Sequence, residues 1–337
     1  MELKDISEKD YKNFIKEQKP ISFLHNYEWG EVEKKLGKEF FRFGIYKSQT
    51  LIAVVQIIGH KSKRGNFLTI SHGPIINPNF KENFLEIIDL IIEKIKKLNL
   101  KKKYSFLRVN FLFENSEEIL KNLIVRKFKL APRWFVSENF WIKEIDKTEE
   151  DLLKEMDNNH RKQILDSLTK PYLEIEKSDK IETIKIFWDL YKNLAKEKNF
   201  IPYSYNLIKN EFEIFTKEDK ALWYLGKIEN KYYSAALIIF DNNFAYYHHS
   251  ASIKIKEPLN YKLQWQIILD ARQRGCKFYN MWGITNQGKE HPWYGLTQFK
   301  KGFGGKMINF LPTLDFRLNW KYYLTYAYEK IYKKIKN

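Results

Sequence analysis

Two hydrophobic periods alternate along the chain. At residues 81–98 the apolar positions fall at 84, 87, 88, 91, 92 and 95, the spacing of one helix face, whereas 40–46 and 51–59 read as strands joined by the polar turn KSQT. Around them the pattern predicts a helix at 11–16, a strand at 21–24 (ISFL), a helix at 28–36 ended by Gly37, and strands at 67–70 (FLTI) and 104–113. Gly73-Pro74 marks a turn ahead of the long helix. A second cycle opens near Thr148, with a helix at 149–168, a strand at 173–178 and helices at 181–196 and 207–215. Strands at 221–228, 232–240 and 244–251 follow, then an amphipathic helix at 261–274 ended by Gly275 and a strand at 276–282. Each cycle has a helical region, an antiparallel meander, a helix and a further strand, so the pattern predicts a duplicated α/β unit. The tail at 318–337 predicts a docking helix with Leu318, Tyr322, Thr325 and Tyr326 on one side and lysines toward its end, where they suit the helix dipole.

Length and composition narrow the class. A chain of 337 residues suits two lobes of about 150 residues each. The 44% hydrophobic and 16% aromatic content supplies a core and excludes a disordered arm. A formal charge of +17 invites a polyanion: nucleic acid, a nucleotide sugar or an anionic membrane face. Lys, Asn and Ile are abundant throughout while Arg is scarce, so an AT-rich coding bias accounts for part of that charge. The single cysteine, Cys276, excludes a disulfide within the chain, and its apolar context suits an inert thiol. The N-terminus is charged from its second residue and no apolar run reaches about 18 residues, so a soluble cytoplasmic protein is expected.

Familiar catalytic motifs are absent. The seven histidines, at 25, 60, 72, 160, 248, 249 and 291, show no HExxH spacing and there is no CxxC, so no metal site is expected. GxSxG and GxxxxGK[ST] do not occur. The one near miss to an acetyl-CoA loop, Arg272 to Lys277, ends in a lysine where a small residue is needed. What remains is YNMWGITNQGKEHPWYGLTQFKKGFGGK at 279–306, where Gly283 and Gly295 bracket a loop and Phe299-Lys300 precedes a glycine cluster. An ammonium held against apolar walls, as Lys300 would be, can stabilise an oxyanion. Tyr246, Tyr247, His248 and His249 end a strand whose alternating side chains would face the same cleft if the two strands are neighbours. The bland reading of each feature is a turn glycine, a half-buried strand end or a solvated lysine.

These residues resemble the FemABX family of nonribosomal peptidyltransferases. The resemblance rests on Ser250-Ala251-Ser252, Pro258, Trp265, Gly275, Asn280, Trp282, Gly283, Pro292, Gly295, Phe299, Lys300, Phe303, Gly304 and Gly305. Weaker echoes are FLHNYEWGEV, SHGP, LRVN and Arg161 to Ile164. It implies an α/β fold of two tandem lobes like GCN5-related N-acetyltransferases, placed here at 1–147, completed by 318–337, and at 148–317. With no long coiled-coil insertion the chain looks FemX-like. The implied reaction moves an amino acid from aminoacyl-tRNA, a co-substrate with no further cofactor, to a stem-peptide amine of a UDP-linked or lipid-linked peptidoglycan precursor, with peripheral contact at the inner membrane face compatible with it.

By this resemblance Lys300 stabilises the tetrahedral intermediate, Phe299 shapes the site beside Trp282 and Gly283, and Tyr247 or His249 lines the acceptor channel. The lysine expected four residues after Trp29 is Glu33, leaving Lys34 as the candidate acceptor contact, and an expected arginine and tyrosine align with Tyr203 and Leu207. Candidate tRNA contacts are Lys61, Lys63, Arg64 and Lys101. Two other functions share these features: a CoA-dependent N-acyltransferase of the same fold, and a non-catalytic tRNA-binding protein.

Overall fold

The computed structural model describes residues 1–63 and 65–336, with side chains as far as residue 331. Arg64 and the lysines that close the tail lie outside that description. The chain divides into two units, residues 1–138 with 309–337, and residues 139–308. Strands β1 (Glu2–Asp5), β2 (Phe40–Lys47), β3 (Thr50–His60), β4 (Phe67–Ser71), β5 (Ile75–Ile76), β6 (Phe106–Asn110) and β7 (Phe128–Leu130) belong to the first unit. Strands β8 (Asn139–Glu144), β9 (Leu173–Ser178), β10 (Ala221–Ile228), β11 (Lys231–Asp241), β12 (Phe244–Ser252), β13 (Phe278–Gly283) and β14 (Lys306–Asn309) form the second sheet, and β15 (Leu314–Arg317) returns to the first. The helices are α1 (Glu8–Gln18), α2 (Tyr27–Lys35), α3 (Phe84–Lys97), α4 (Glu117–Val125), α5 (Glu149–Lys154), α6 (Asn158–Leu168), α7 (Thr183–Glu197), α8 (Tyr205–Lys217), α9 (Leu259–Gln273), α10 (Tyr294–Gly302) and α11 (Tyr322–Lys336).

The two sheets repeat one order, as the duplicated pattern predicts. The first runs β1-β2-β3-β4-β6-β15-β7, with β5 on β3, and the second runs β9-β10-β11-β12-β13-β8-β14. In each, an antiparallel meander leads into one parallel step, β4 to β6 or β12 to β13, whose crossover contains α3 or α9. The boundaries expected at 147 and 317 are corrected by one strand each: β8 precedes 147 yet pairs with β13, and β15 precedes 318 yet pairs with β6 and β7. Strand pairing, which periodicity does not report, decides where such a segment belongs.

Local chemistry explains the element ends. Ser7, Ser116, Thr148, Asp157 and Ser204 each accept a backbone N–H of the first turn of the helix that follows. The cap at Asp157 also corrects the single helix expected at 149–168, because the chain breaks there into α5 and α6 and the Asp157 N–H donates to the Gly302 carbonyl. ISFL is likewise not a strand: Phe23–His25 is a 3-10 turn capped by the Ser22 hydroxyl, and the Tyr11 hydroxyl donates to the His25 carbonyl. In the first unit the predicted stripe of α3, Ile87, Ile88, Ile91, Ile92 and Ile95, packs on Ile52, Val55, Ile57, Leu68 and Ile70. In the second unit adjacent residues of β10 face opposite ways: Tyr224 joins the core beneath α9, while Trp223 meets Phe187 of α7 and Phe212 of α8.

The tail helix docks as expected and adds a polar lock. Tyr322 and Thr325 are buried and Leu318 packs against the first core. Arg108 on β6 forks onto Asp315 of β15 at 2.7 and 2.9 Å and reaches Glu329 of α11 at 2.8 Å, all three side chains buried.

Candidate active site

The parallel pair β12 and β13 places Phe244, Ala245 and Tyr246 opposite Phe278, Tyr279 and Asn280, so the two segments singled out in the sequence are neighbours. Each strand then leaves regular pairing. On β12, His249 faces Leu237 and Tyr247 faces Ile238 of β11, so His248 is an extra residue, a β-bulge. Strict alternation would set 247 and 249 on one side. The bulge instead turns His248 and His249 together onto Glu211 of α8, at 3.3 and 2.7 Å, and leaves Tyr247 on the other face, packed with Tyr279 against the core under α9. Of the two alternatives for the acceptor channel, His249 thus meets Glu211 while Tyr247 packs on the core under α9. Tyr203 is 56% exposed, and its ring stands edge-on to His249 at 5.4 Å.

On β13 the register against β8 breaks between Asn280 and Gly283. Trp282 sits there with φ 64, a left-handed conformation that costs a bulky residue about 1–2 kcal/mol. The Asn280 carboxamide accepts the Trp282 N–H at 2.8 Å, and the indole stacks on Phe140 at 5.0 Å with His248 edge-on at 5.9 Å. A strained tryptophan thus joins the histidine bulge to the next carbonyl, that of Gly283.

That carbonyl accepts a 2.6 Å hydrogen bond from Lys300 Nζ. Lys300 is 4% exposed, and burial alone pushes its ammonium down to about 7. Lys143, the other buried lysine among the described residues, has Glu155 at 2.8 Å; Lys300 has no acidic partner within the described residues. The loop expected between Gly283 and Gly295 occupies 284–293, and 294–302 then folds as α10 with Thr297 and Lys300 on its buried side. Thr297 Oγ1 accepts the Thr285 N–H at 3.1 Å, closing the remaining loop on the helix.

His160 fixes α10 from below. Its Nδ1 meets Asp157 Oδ1 at 2.9 Å and its Nε2 meets the Phe299 carbonyl at 2.9 Å, while the rings of Tyr261, Phe299 and Phe303 surround it. A Cβ on Gly302 would lie 1.9 Å from the His160 ring. Gly305 has φ 103 and would place a Cβ 2.4 Å from the Ile142 carbonyl, so this glycine serves close backbone packing. Asp157→Ala removes both the α6 cap and one His160 partner; a loss of about 1–2 kcal/mol in urea unfolding is expected, and an unchanged midpoint would contradict the arrangement.

Burial raises the Glu211 carboxyl, but the charges of His249 and His248 and their hydrogen bonds outweigh it and hold the group below the usual carboxylate range. Burial, then the charge of His249, pushes His248 down to about 4. Sequence reasoning missed Glu211 and His160, although each carries a signal. Glu211 interrupts the apolar stripe Ile208, Phe212, Phe215 of α8, and His160 shares the buried face of α6 with Ile164. A polar residue on an apolar stripe must find a partner, and both do.

The remaining described candidates belong to the first unit. Lys34 is exposed in the last turn of α2, and the buried Glu33 beside it is paired with Lys38. Lys61, Lys63 and Lys101 are exposed in the first unit, and Arg64 lies outside the described residues.

A model of the FemAB family matches residues 6–112 and 232–333, over half of the chain. The chain belongs to the FemAB family. As a member it is an aminoacyltransferase that uses aminoacyl-tRNA and acts on peptidoglycan precursors. The fold is similar to the crystal structure of FemX, at TM-score 0.82 and 18% identity over 98% of this chain and 100% of that one. A tandem GNAT protein from the clavulanic acid biosynthesis pathway matches at TM-score 0.58 and 6% identity, covering 95% of this chain and 99% of that one. L-PGS from Bacillus licheniformis matches at TM-score 0.56 and 13% identity, covering 97% and 98%. A search of curated proteins gave no match. Among the described residues no helix of this FemAB protein is long and apolar enough to cross a membrane.

Proposed function

We propose that Lys300 is the electrostatic centre of aminoacyl transfer. The observation that carries this is a buried ammonium bonded to one carbonyl and facing no carboxylate among the described residues. An ammonium has three donors, so two remain for the oxygen that becomes negative when the acceptor amine attacks the aminoacyl ester. In that step the N–C bond forms, the ester C–O bond breaks, and the proton lost by the amine ends on the departing ribose oxygen. Phe299 contributes through its position next to Lys300 on α10: its carbonyl is tied to His160, and its ring packs on Phe303 at the end of that helix. Trp282 and Gly283 set the carbonyl that orients the ammonium, and Tyr203 with His249 forms an aromatic wall for the acceptor.

The acceptor in this reading is a stem-peptide amine on a UDP-linked or lipid-linked precursor, met in the cytoplasm where charged tRNA is available, with peripheral contact at the membrane face when the precursor is lipid-linked. Lys34 is the cation of the first unit offered to that precursor. Transfer of a radiolabelled amino acid from tRNA to purified UDP-linked and lipid-linked precursors, in separate arms, tests it. Label released only as free amino acid in both arms would contradict it.

Lys61, Lys63 and Lys101 meet tRNA phosphates in this reading. Ser62, between the first two, lines a cavity of about 250 Å³ in the first unit that also includes Arg133 and the half-exposed Trp134, a pairing of cation and ring that suits an unstacked nucleotide. Replacing Lys61 and Lys63 together by alanine is expected to weaken tRNA binding and reduce the salt slope of log K by about 0.7–0.9 for each phosphate that is no longer neutralised. An unchanged slope would remove both from the interface.

A further inference from the structure

Glu211, His248 and His249 form one compact ligand set. One carboxylate oxygen and one nitrogen from each imidazole all lie within 4.8 Å of one another, and this is the one such group of three among the described residues. The carboxylate oxygen Oε2 stands 2.7 Å from His249 Nε2 and 3.3 Å from His248 Nε2. Ligand atoms bonded to one tetrahedral zinc at ordinary lengths are about 3.4 Å apart, so a shift of under about 1 Å would convert this contact into a coordination site.

The way the strand is built favours a shared target. Adjacent residues of a regular strand point to opposite faces, yet the bulge at His248 brings two imidazoles to one helix residue. Glu211 is 1% exposed and His249 6%, and the only ion-pair partners that the described residues give Glu211 are these two histidines. Burying a carboxylate this deeply carries a desolvation cost that a divalent cation bound to it would offset. Two imidazoles and one carboxylate suit zinc, with cobalt(II) as its spectroscopic substitute.

We infer that Glu211, His248 and His249 bind a divalent transition-metal ion that clamps α8 to the bulge of β12, its fourth position left to water or to a substrate atom. The inference does not depend on the role given to Lys300. The experiment strips the full chain with a chelator and titrates it with zinc by competition against a chromophoric chelator and with cobalt(II) by visible absorption. One equivalent per chain with tetrahedral cobalt bands is expected, together with a raised unfolding temperature on metal addition.

Glu211→Gln, which keeps the side-chain shape, is expected to weaken zinc binding at least about tenfold. His249→Ala should abolish the cobalt bands, and His291→Gln, outside the cluster, should leave them intact. Wild-type protein that takes up no stoichiometric metal at about 10 µM, far weaker than structural zinc sites, would overturn the inference. So would undiminished binding in both Glu211→Gln and His249→Ala, which would place the metal elsewhere.

Discussion

Lys300→Met is expected to lower kcat for aminoacyl transfer by about 10²–10³-fold while leaving tRNA affinity within about twofold, the loss typical when one donor to a developing oxyanion is removed. The substitution keeps the length and apolar stem of the side chain and deletes only the charge and its hydrogen bond to Gly283. Burial lowers the ammonium to about 7, so the charged form that stabilises the oxyanion is lost as pH rises through neutrality. A descending limb near pH 7 follows for kcat, opposed at lower pH by protonation of the acceptor amine. Lys300→Arg keeps its charge across this range, and any activity it retains should lack that limb.

The stability linkage has the opposite sense. Lys300 holds its proton less tightly in the folded chain than in the unfolded one. The cost of burying the charge is therefore present in full below about pH 7 and is relieved as pH rises from there toward the ordinary lysine value. Lys300→Met removes that slope, so the variant gains most in relative stability at acid pH. A variant that loses tRNA affinity and keeps kcat would assign Lys300 to phosphate binding instead.

Gly302→Ala is expected to destabilise the protein by about 2–4 kcal/mol and to cut kcat by about 10²-fold without entering the reacting centre. The added Cβ would fall 1.9 Å from the His160 ring, which is held at both nitrogens by Asp157 and the Phe299 carbonyl. Either the ring leaves, and α10 loses its anchor, or α10 moves, and Lys300 moves with it. Adding His160→Ala should vacate the space, so the double variant is expected to recover stability relative to Gly302→Ala while transfer stays impaired. Urea unfolding and kcat measured on the same three proteins check this. Strictly additive losses would show that the two residues do not share the site described.

Much of this was legible in the chain because it depends on period and composition. The α3 stripe, the meanders and the repeated order of elements follow from alternation and helical spacing, and the segment 279–306 stood out through its glycines and Lys300. Other features depend on pairing, which no local pattern reports. β8 and β15 join sheets across the boundaries that the cycles suggest, and α10 was hidden because Gly295 and Gly302 obscure the helical spacing of a nine-residue helix. The bulge at His248 reverses the side-chain alternation read from the strand, so Tyr247 packs on the core under α9 while His248 and His249 meet Glu211. Arg108 shows the same limit: its partners Asp315 and Glu329 lie 207 and 221 residues away along the chain.

The most direct test of Lys300-centred aminoacyl transfer is intact-mass analysis of a purified peptidoglycan precursor after incubation with the enzyme and a complete set of aminoacyl-tRNAs. The expected result is a gain of one aminoacyl residue on a stem-peptide amine, absent with Lys300→Met and not supported by acetyl-CoA. No gain with any aminoacyl-tRNA, an acetyl increment from acetyl-CoA, or an undiminished gain with Lys300→Met would contradict it.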